Sequence, residues 1–197
     1  MKLVLASRNA DKHRELARLL APHELLDLPA GVVLPPETGS TFAENAAAKA
    51  RAAARATGMP AIADDSGIEA TALGGAPGIR SARYAGETAS DELNLAKLLE
   101  ELARHKDRRV AYVCALAYAT PGGELRGFQA RCEGRLAIEP AGTDGFGYDP
   151  AFIPAGDGDG DGRTMAQLAA HEKDAISHRG RAARLFLDWL ESGPQTR

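Results

Sequence analysis

Residues 60–67, Pro-Ala-Ile-Ala-Asp-Asp-Ser-Gly, join a short apolar run to two adjacent carboxylates, a hydroxyl and a glycine. The run indicates a buried strand that opens into a loop, because Pro60 and Gly67 bracket it. Asp64 and Asp65 are therefore expected where the strand leaves the sheet, the edge at which open α/β sheets bind ligands. Since adjacent residues of an extended chain point to opposite sides, one carboxylate can face a cleft while the other bonds local backbone. The alternative is an Asp-rich turn that caps the next element.

The residues around this stretch predict an α/β fold. Residues 2–6 form an apolar run suited to a buried strand, and a helical pattern follows it. A capping box at residues 41–44 begins an alanine-rich helix that should stop at Gly58. The strand-like runs 110–119 and 125–138 are separated by a Pro-Gly-Gly hairpin signal, so the sheet is expected to be mixed.

The C-terminal part predicts a final helix and a polar insertion. Ser177 should cap this helix, whose buried face is expected to consist of residues at helical spacing, namely Ala182, Leu185, Phe186, Trp189 and Leu190. Residues 156–162 repeat Gly and Asp like the start of a calcium loop. The twelfth loop position is Leu168 instead of the required Glu, so we reject calcium binding and interpret the repeat as a flexible, solvated insertion.

Composition narrows the class of function. With 197 residues and 44% hydrophobic side chains, the chain is expected to form one domain spanning residues 1–197. The formal net charge of −3 argues against a nucleic-acid partner, which needs a broad basic face. Cys114 and Cys132 form no C-x-x-C pair and are expected to be buried, reduced thiols, which suits the cytoplasm. The apolar runs are too short for a secretion signal or a membrane span.

Several charged residues near the ends of predicted elements suggest a phosphate and metal site. The turn at residues 7–12 places backbone N–H groups at a helix N-terminus, where the helix dipole favours anions, although N-capping by Asn9 explains most of this pattern. Glu37 precedes a helix and Asp65 follows the next strand, so the two acids can converge. Carboxylate oxygens with substrate phosphates are the ligands that Mg²⁺ prefers. The alternative for Glu37 is a solvated loop acid.

A second candidate region lies toward the C-terminus. Residues 142–150 place glycines around two aromatic side chains, which is typical of backbone that passes close to a flat group such as a purine. The alternative is that the aromatic rings anchor the loop to the core. Lys173, His178 and Arg179 form a cluster of donors near a helix N-terminus, for which a solvated helix end is the alternative.

Five stretches, taken together, resemble the inosine/xanthosine triphosphate pyrophosphatase family. They are S-R-N-A-D-K (7–12), E-T-G-S-T-F-A-E-N-A (37–46), A-I-A-D-D-S-G (61–67), G-F-G-Y-D-P (145–150) and E-K-D-A-I-S-H-R-G (172–180). The family hydrolyses deaminated purine nucleoside triphosphates to the monophosphate and pyrophosphate. The likeness implies a homodimeric α/β protein with a long central mixed sheet flanked by helices, and two lobes with an active-site cleft between them.

The resemblance also implies a role for individual residues. Asp65 matches the catalytic proton acceptor and a Mg²⁺ ligand, and Glu37 matches the other metal ligand. The implied contacts to the phosphates and substrate are Ser7, Arg8, Asn9, Ala10, Asp11, Lys12, Lys49 and Ser66. The implied base and ribose pocket consists of Phe146, Gly147, Tyr148, Asp149, Lys173, His178 and Arg179.

Two departures from the family pattern are visible. Arg8 stands where many members have Gly, so it either adds a phosphate contact or crowds the turn. The repeat at residues 156–162 is longer than usual, which is expected to affect only loop mobility.

The chemistry of these residues agrees with the resemblance. A metal and two lysines would neutralise phosphate charge, and Asp65 would orient or deprotonate the attacking water. His178 and Arg179 carry donors that suit the 6-oxygen of hypoxanthine or xanthine and oppose the 6-amino group of adenine, so ATP should be a poor substrate. The alternatives are a pyrophosphatase for pyrimidine or other modified triphosphates, and a nucleotide sensor without catalysis. The paired acids argue against a sensor, because binding alone needs no carboxylate beside phosphate.

Overall fold

The structure, a computed structural model, describes residues 1–156 and 162–193. The strands are Lys2–Leu5 (β1), Glu24–Leu26 (β2), Ala61–Ala70 (β3), Arg109–Ala119 (β4), Leu125–Leu136 (β5) and Phe152–Pro154 (β6). The α-helices are Ala10–Leu19 (α1), Phe42–Thr57 (α2), Asp91–Leu102 (α3), Ala170–Ile176 (α4) and His178–Ser192 (α5). Short 3₁₀-helices lie at Thr71–Leu73, Gly78–Arg83 and Met165–Gln167.

The strands form a mixed sheet in the order β2-β1-β3-β4-β5-β6. β1 is parallel to β2 and to β3, with Leu5 opposite Ile62 in the second pair. β5 and β6 are antiparallel, with Arg135 opposite Ile153. The predicted α/β class with a mixed sheet and flanking helices is therefore confirmed.

The chain folds into two compact units. Unit 1 contains Met1–Asp65, Cys114–Ala130 and the described residues from Arg179 onward. Unit 2 contains Ser66–Val113 and the described residues of Arg131–His178. The one bilobal domain and its cleft remain predictions.

Helix starts and stops follow the local sequence. Thr41 caps α2 by accepting a hydrogen bond from the Glu44 backbone N–H (3.1 Å), and the helix ends at Gly58 with a positive φ of 66°. The Glu44 carboxylate accepts from the backbone N–H of Ser40 at 2.7 Å and also from that of Thr41, the reciprocal half of the predicted capping box. The helix prediction for residues 41–58 is confirmed.

The core of unit 1 packs helices α1 and α5 against the sheet. Its fully buried side chains include Leu3, Leu5, Leu16, Leu20, Ile62, Leu116, Ala182 and Phe186. The prediction that Leu185 belongs to this face is wrong, since 46% of Leu185 is exposed. Ala183 takes the inward position instead, which turns the buried stripe of α5 away from Leu185.

Unit 2 has its own apolar core. Ile68 and Ala70 from β3 pack with side chains of α3, β4 and β5 and with Phe152 of β6, and this core includes Leu98, Leu102, Val110, Tyr112, Cys132 and Leu136. Both cysteines of the chain are buried thiols, as predicted. Among the helices of the described residues, none is long and apolar enough to cross a membrane.

β3 is longer than the sequence predicts. The strand continues from Ala61 to Ala70, so Asp64 and Asp65 lie inside it and not at its end. Gly67 is also not a loop residue: a Cβ atom there would clash with the Ser81 hydroxyl and the Gly78 carbonyl. The Ser81 hydroxyl accepts a hydrogen bond from the Ile68 N–H at 2.9 Å, and this close approach is what requires glycine.

The interpretation of the Gly/Asp repeat concerns Asp157, Asp159 and Asp161, which lie outside the described residues.

Candidate active site

The turn before α1 is organised by its capping residue. The Asn9 side-chain oxygen accepts the Lys12 N–H at 2.9 Å, and the Asn9 N–H donates to the Ser7 hydroxyl oxygen at 3.2 Å. Ala10 and Asp11 are the first residues of the helix. The predicted capping role of Asn9 is therefore confirmed, while phosphate binding by residues 7–12 remains a prediction.

Arg8 has a role that neither sequence alternative foresaw. Its guanidinium donates to the carbonyl oxygens of Pro29, Ala30 and Val32 at 3.4, 3.2 and 2.9 Å. These bonds hold the loop after β2 against the turn that precedes α1. The departure from glycine at this position thus supplies a loop contact.

Glu37 and Asp65 converge on one lysine within unit 1. The Lys49 ammonium donates to Glu37 Oε1 at 2.7 Å, to Asp65 Oδ1 at 3.1 Å and to the Asp64 backbone carbonyl at 3.0 Å. Asn45 lies one helical turn before Lys49 and donates to Asp65 Oδ2 at 3.1 Å. The convergence of the two acids is confirmed, so Glu37 is not a merely solvated loop acid.

The charged groups of this cluster shift one another's pKa values. Burial raises the pKa of Asp65 and the nearby Glu37 carboxylate raises it further, whereas Lys49 opposes both effects. Burial acts to lower the pKa of Lys49, but Asp65 and Glu37 outweigh it and the pKa is raised. Lys12 also acts on Asp65 and lowers its pKa, so two lysines oppose the effects of burial and of Glu37.

The donor set of this cluster fits Mg²⁺. Both carboxylates lie within 3.1 Å of the Lys49 nitrogen, so they are close enough to share one cation. Among the described residues, no group of three or more His, Cys, Asp or Glu side chains could hold a metal ion. A metal at Glu37 and Asp65 would therefore depend on water and phosphate oxygens for the rest of its shell, which is the usual behaviour of Mg²⁺.

Asp64 belongs to a second charged cluster in unit 1. Its side chain is 0% exposed, forms an ion pair with Lys12, lies 3.5 Å from Arg179 Nε, and accepts a hydrogen bond from the Cys114 thiol at 3.1 Å. Burial alone would raise the pKa of Asp64, but Lys12 and Arg179 hold it well below the ordinary value. These three partners of Asp64 come from α1, β4 and α5, and a bond from one of the two aspartates to local backbone remains a prediction.

Glu15 completes this second cluster. The buried Glu15 carboxylate accepts from Arg179 Nη1 at 3.1 Å. Sequence reasoning missed Glu15, although a signal exists: it lies beside Leu16 and one turn before Leu19 on the apolar face of α1, where a carboxylate needs a partner. Arg179 is thus engaged by two acids, and its predicted contact with the base remains a prediction.

The remaining predicted residues lie in unit 2, where Asp149 contacts two of them, Phe146 and Lys173. This buried carboxylate accepts from the Tyr112 hydroxyl at 3.0 Å, from Lys173 Nζ at 2.6 Å and from the Phe146 N–H at 2.9 Å. The Lys173 nitrogen also lies 5.4 Å from the centre of the Phe146 ring, a cation–π distance. Asp149 therefore orders the glycine-rich loop and the lysine together.

The other predicted residues of unit 2 contact groups other than Asp149. The Tyr148 hydroxyl donates to the Ser81 carbonyl at 2.7 Å, so Tyr148 anchors the loop to the core as the alternative reading holds. The Gly147 N–H donates to Asp91 at 2.8 Å. His178 is buried and its ring stacks on Tyr112 with centroids 4.5 Å apart. Ser66 is half-buried in β3.

The predicted site residues thus gather in two groups. Residues 7–12, Glu37, Lys49, Asp65 and Arg179 belong to unit 1, whereas Ser66, residues 146–149, Lys173 and His178 belong to unit 2. Sequence reasoning missed Asn45, Glu15 and Tyr112, each of which contacts a predicted residue. For Tyr112, the alternation of small and large apolar residues in β4 indicated only core.

Comparison with known proteins gives consistent matches over nearly the whole chain. The model of the Ham1 family matches residues 3–189. A dITP/XTP pyrophosphatase of Shigella flexneri is 50% identical over 201 residues, covering 98% of this chain and 99% of the relative. A dITP/XTP pyrophosphatase of Deinococcus radiodurans is 48% identical over 187 residues, covering 94% of this chain and 91% of the relative.

Solved structures agree with these matches. The Ham1 protein of Staphylococcus aureus superimposes with a TM-score of 0.85 at 41% identity, covering 98% of this chain and 99% of the other. A HAM1 protein of Coxiella burnetii gives a TM-score of 0.87 at 40% identity, covering 98% and 100% of the two chains.

Proposed function

This chain belongs to the Ham1 family, and from that premise we propose that it hydrolyses deaminated purine nucleoside triphosphates, namely ITP, dITP and XTP, to the monophosphate and pyrophosphate. The family predicted from the five motifs is confirmed. The proposal takes its substrates from relatives of about half-identical sequence that are named dITP/XTP pyrophosphatases. The observation that carries the chemistry is the pair of carboxylates, Glu37 and Asp65, held together by Lys49.

Asp65 is the proposed catalytic residue. Asn45 and Lys49 hold its carboxylate in place, which suits it to accept a proton from a bound water molecule. It would orient a water molecule and take its proton as the water oxygen bonds to phosphorus. The bond to the pyrophosphate group then breaks, and pyrophosphate leaves with the bonding electron pair.

Positive charge is the second requirement of the reaction. Mg²⁺ bound by Glu37 and Asp65 would supply charge that neutralises the phosphate oxygens. Lys49 and Lys12 add to it, and their positions are set by Asp65 and Asp64 respectively. The protein otherwise contributes positioning and electrostatics, which supply most of the catalysis in phosphate-bond hydrolysis.

Glu37→Gln is expected to raise the Mg²⁺ concentration needed for half-maximal activity before it abolishes turnover. Asp65 and the substrate phosphates would remain as ligands, so high Mg²⁺ should recover much of the rate. The measurement is pyrophosphate release from ITP across a Mg²⁺ titration. Glu44→Gln, seven residues along the chain on an exposed helix turn, is the control and should titrate like the wild type. An unchanged titration for Glu37→Gln would contradict the metal role.

The base pocket is proposed to use His178, Lys173 and the loop at residues 146–149. These side chains present donors, and a purine 6-oxygen accepts whereas the adenine 6-amino group donates. A buried mismatch of this kind can discriminate by ~10⁴–10⁵. Because the chain belongs to this family, we also propose that the protein is a homodimer and that it acts in the cytoplasm.

Purified protein with Mg²⁺ is expected to release pyrophosphate from ITP and XTP far faster than from ATP. Initial rates on ITP, dITP, XTP, ATP, GTP and pyrimidine triphosphates test this in one panel. Similar rates on ATP and ITP would contradict the proposal that the pocket recognises the purine 6-oxygen. Preference for pyrimidine or other modified triphosphates would favour the related pyrophosphatase, and binding of ITP without pyrophosphate release would favour a sensor.

A further inference from the structure

Tyr112 on β4 stands at the centre of the polar and aromatic contacts of unit 2. Only 6% of its surface is exposed. Its ring stacks on Phe152 with centroids 4.3 Å apart and an interplanar angle of 25°, and on His178 at 4.5 Å and 15°. Its hydroxyl donates to Asp149 Oδ1 at 3.0 Å. One side chain thus contacts two residues of the proposed base pocket.

Asp149 connects Tyr112 to a third residue of the proposed base pocket, Lys173. While Oδ1 accepts from Tyr112, Oδ2 accepts from Lys173 Nζ at 2.6 Å and from the Phe146 N–H at 2.9 Å. Three donors around one buried carboxylate fix its plane, and the plane of the carboxylate fixes the lysine nitrogen. The position of the Lys173 nitrogen therefore depends on the Tyr112 hydrogen bond to Oδ1 as well as on its own bond to Oδ2.

We propose that Tyr112 is a positioning residue for recognition of the purine base. Its ring sets the plane of the His178 imidazole, and its hydroxyl sets the Asp149 carboxylate that holds Lys173. The inference rests on the proposed function, since it presumes that His178 and Lys173 face the base of the substrate. Tyr112 itself contacts no reacting atom in this scheme.

Loss of Tyr112 contacts should affect base recognition more than the chemical step. The Asp65 carboxylate takes its hydrogen bonds from Asn45 and Lys49, which are both on α2. A change at Tyr112 leaves those donors in place. Contacts to the base are expected to be equally strong in the bound substrate and in the transition state, and the loss of such contacts raises KM alone. A base-positioning defect should therefore raise KM with little change in kcat.

The experiment compares Tyr112→Phe, Tyr112→Leu and a control, Tyr118→Phe. Tyr118 lies six residues along the same strand, is equally buried, and packs its ring against Phe186 and Trp189. For each variant, kcat and KM are measured with ITP and with ATP, the affinity for the product IMP is measured by calorimetry, and folding is checked by thermal unfolding.

Tyr112→Phe removes one hydrogen bond to a charged acceptor, so we expect it to raise KM for ITP about tenfold. Its affinity for IMP should fall by a similar factor. Its kcat should stay within about twofold of the wild type, and Tyr118→Phe should change neither constant. Tyr112→Leu also removes the stacking and should reduce the ITP-over-ATP preference further. If Tyr112→Leu does not fold, Tyr112→Phe still decides, because it keeps the ring.

Two results would overturn the inference while the proposed function stands: Tyr112→Phe kinetics equal to those of Tyr118→Phe, or a fall in kcat at constant KM and constant selectivity. A wild-type protein that releases no pyrophosphate from ITP would overturn the proposed function itself. Unchanged IMP affinity in Tyr112→Phe would then overturn the positioning role separately.

Discussion

Asp65→Asn is expected to lower kcat for ITP hydrolysis by more than the ~10²–10⁴-fold that a general base typically contributes. The carboxamide cannot accept the proton of the attacking water, and it replaces one of two anionic oxygen ligands of the proposed metal site. The measurement is steady-state pyrophosphate release with saturating Mg²⁺. Near-normal rates would contradict the mechanism.

The stability of Asp65→Asn separates a catalytic from a structural role. The folded-state pKa of Asp65 is raised, so its stabilising effect is complete below the unfolded-state pKa and is lost as pH rises through the folded value. At neutral pH the charged carboxylate therefore destabilises the fold, and asparagine lacks that charge. Without metal, Asp65→Asn should melt at the wild-type temperature or above it, and the difference should shrink in acid. A strongly lowered melting temperature would instead assign Asp65 to the fold.

Asp64→Asn is expected to destabilise the protein by about 3–5 kcal/mol, the usual cost of removing one partner from a buried ion pair. The wild-type carboxylate is fully buried and faces two cations, Lys12 and Arg179. Asparagine would remove this negative charge, while Glu15 would still pair with Arg179. Urea unfolding at neutral pH measures the loss of stability.

The pH dependence of this second variant has the opposite sign. The folded-state pKa of Asp64 is depressed, so its contribution is present above the unfolded-state pKa and is lost as pH falls through the folded value. The gap between wild type and Asp64→Asn should therefore persist into mild acid and close only in strong acid. Asp27→Asn, at an exposed acid 3.3 Å from His13, is the control and should unfold like the wild type. Equal urea midpoints for Asp64→Asn and the wild type would show that the buried pairs add no stability.

The sequence predicted the elements whose signals are local. The Thr41 cap and the helix stop at Gly58 depend on residues within one turn, and both lie where the pattern placed them. The end of the central strand was misplaced, because Asp64 and Asp65 resemble loop residues until their partners are known. The partners of Asp64 are Lys12 on α1 and Arg179 on α5, and those of Asp65 lie on α2, so all are far away in sequence. A local pattern cannot show that a polar residue is satisfied by a distant one.

The site was predictable to a similar degree. Convergence of Glu37 with Asp65 follows from the order of loop, helix and strand, and the structure brings both to Lys49. Glu15 and Tyr112 act through predicted residues and carry no motif of their own. Finding them needs the hydrogen-bond partners of buried groups, which only the fold supplies.

The position of the two aspartates inside β3 makes the length of that strand critical. Neighbouring side chains of a strand point to opposite sides, so Asp64 enters the Lys12–Arg179 cluster while Asp65 enters the Lys49 cluster. Pairing of Ile62 with Leu5 sets this register. A slip of one residue would turn Asp64 away from the Lys12–Arg179 cluster and Asp65 away from the Lys49 cluster, because it flips every side chain to the opposite side. Insertions or deletions of a single residue between positions 62 and 65 should therefore be tolerated far less than most substitutions there, since they disable the ion pairs and the base together.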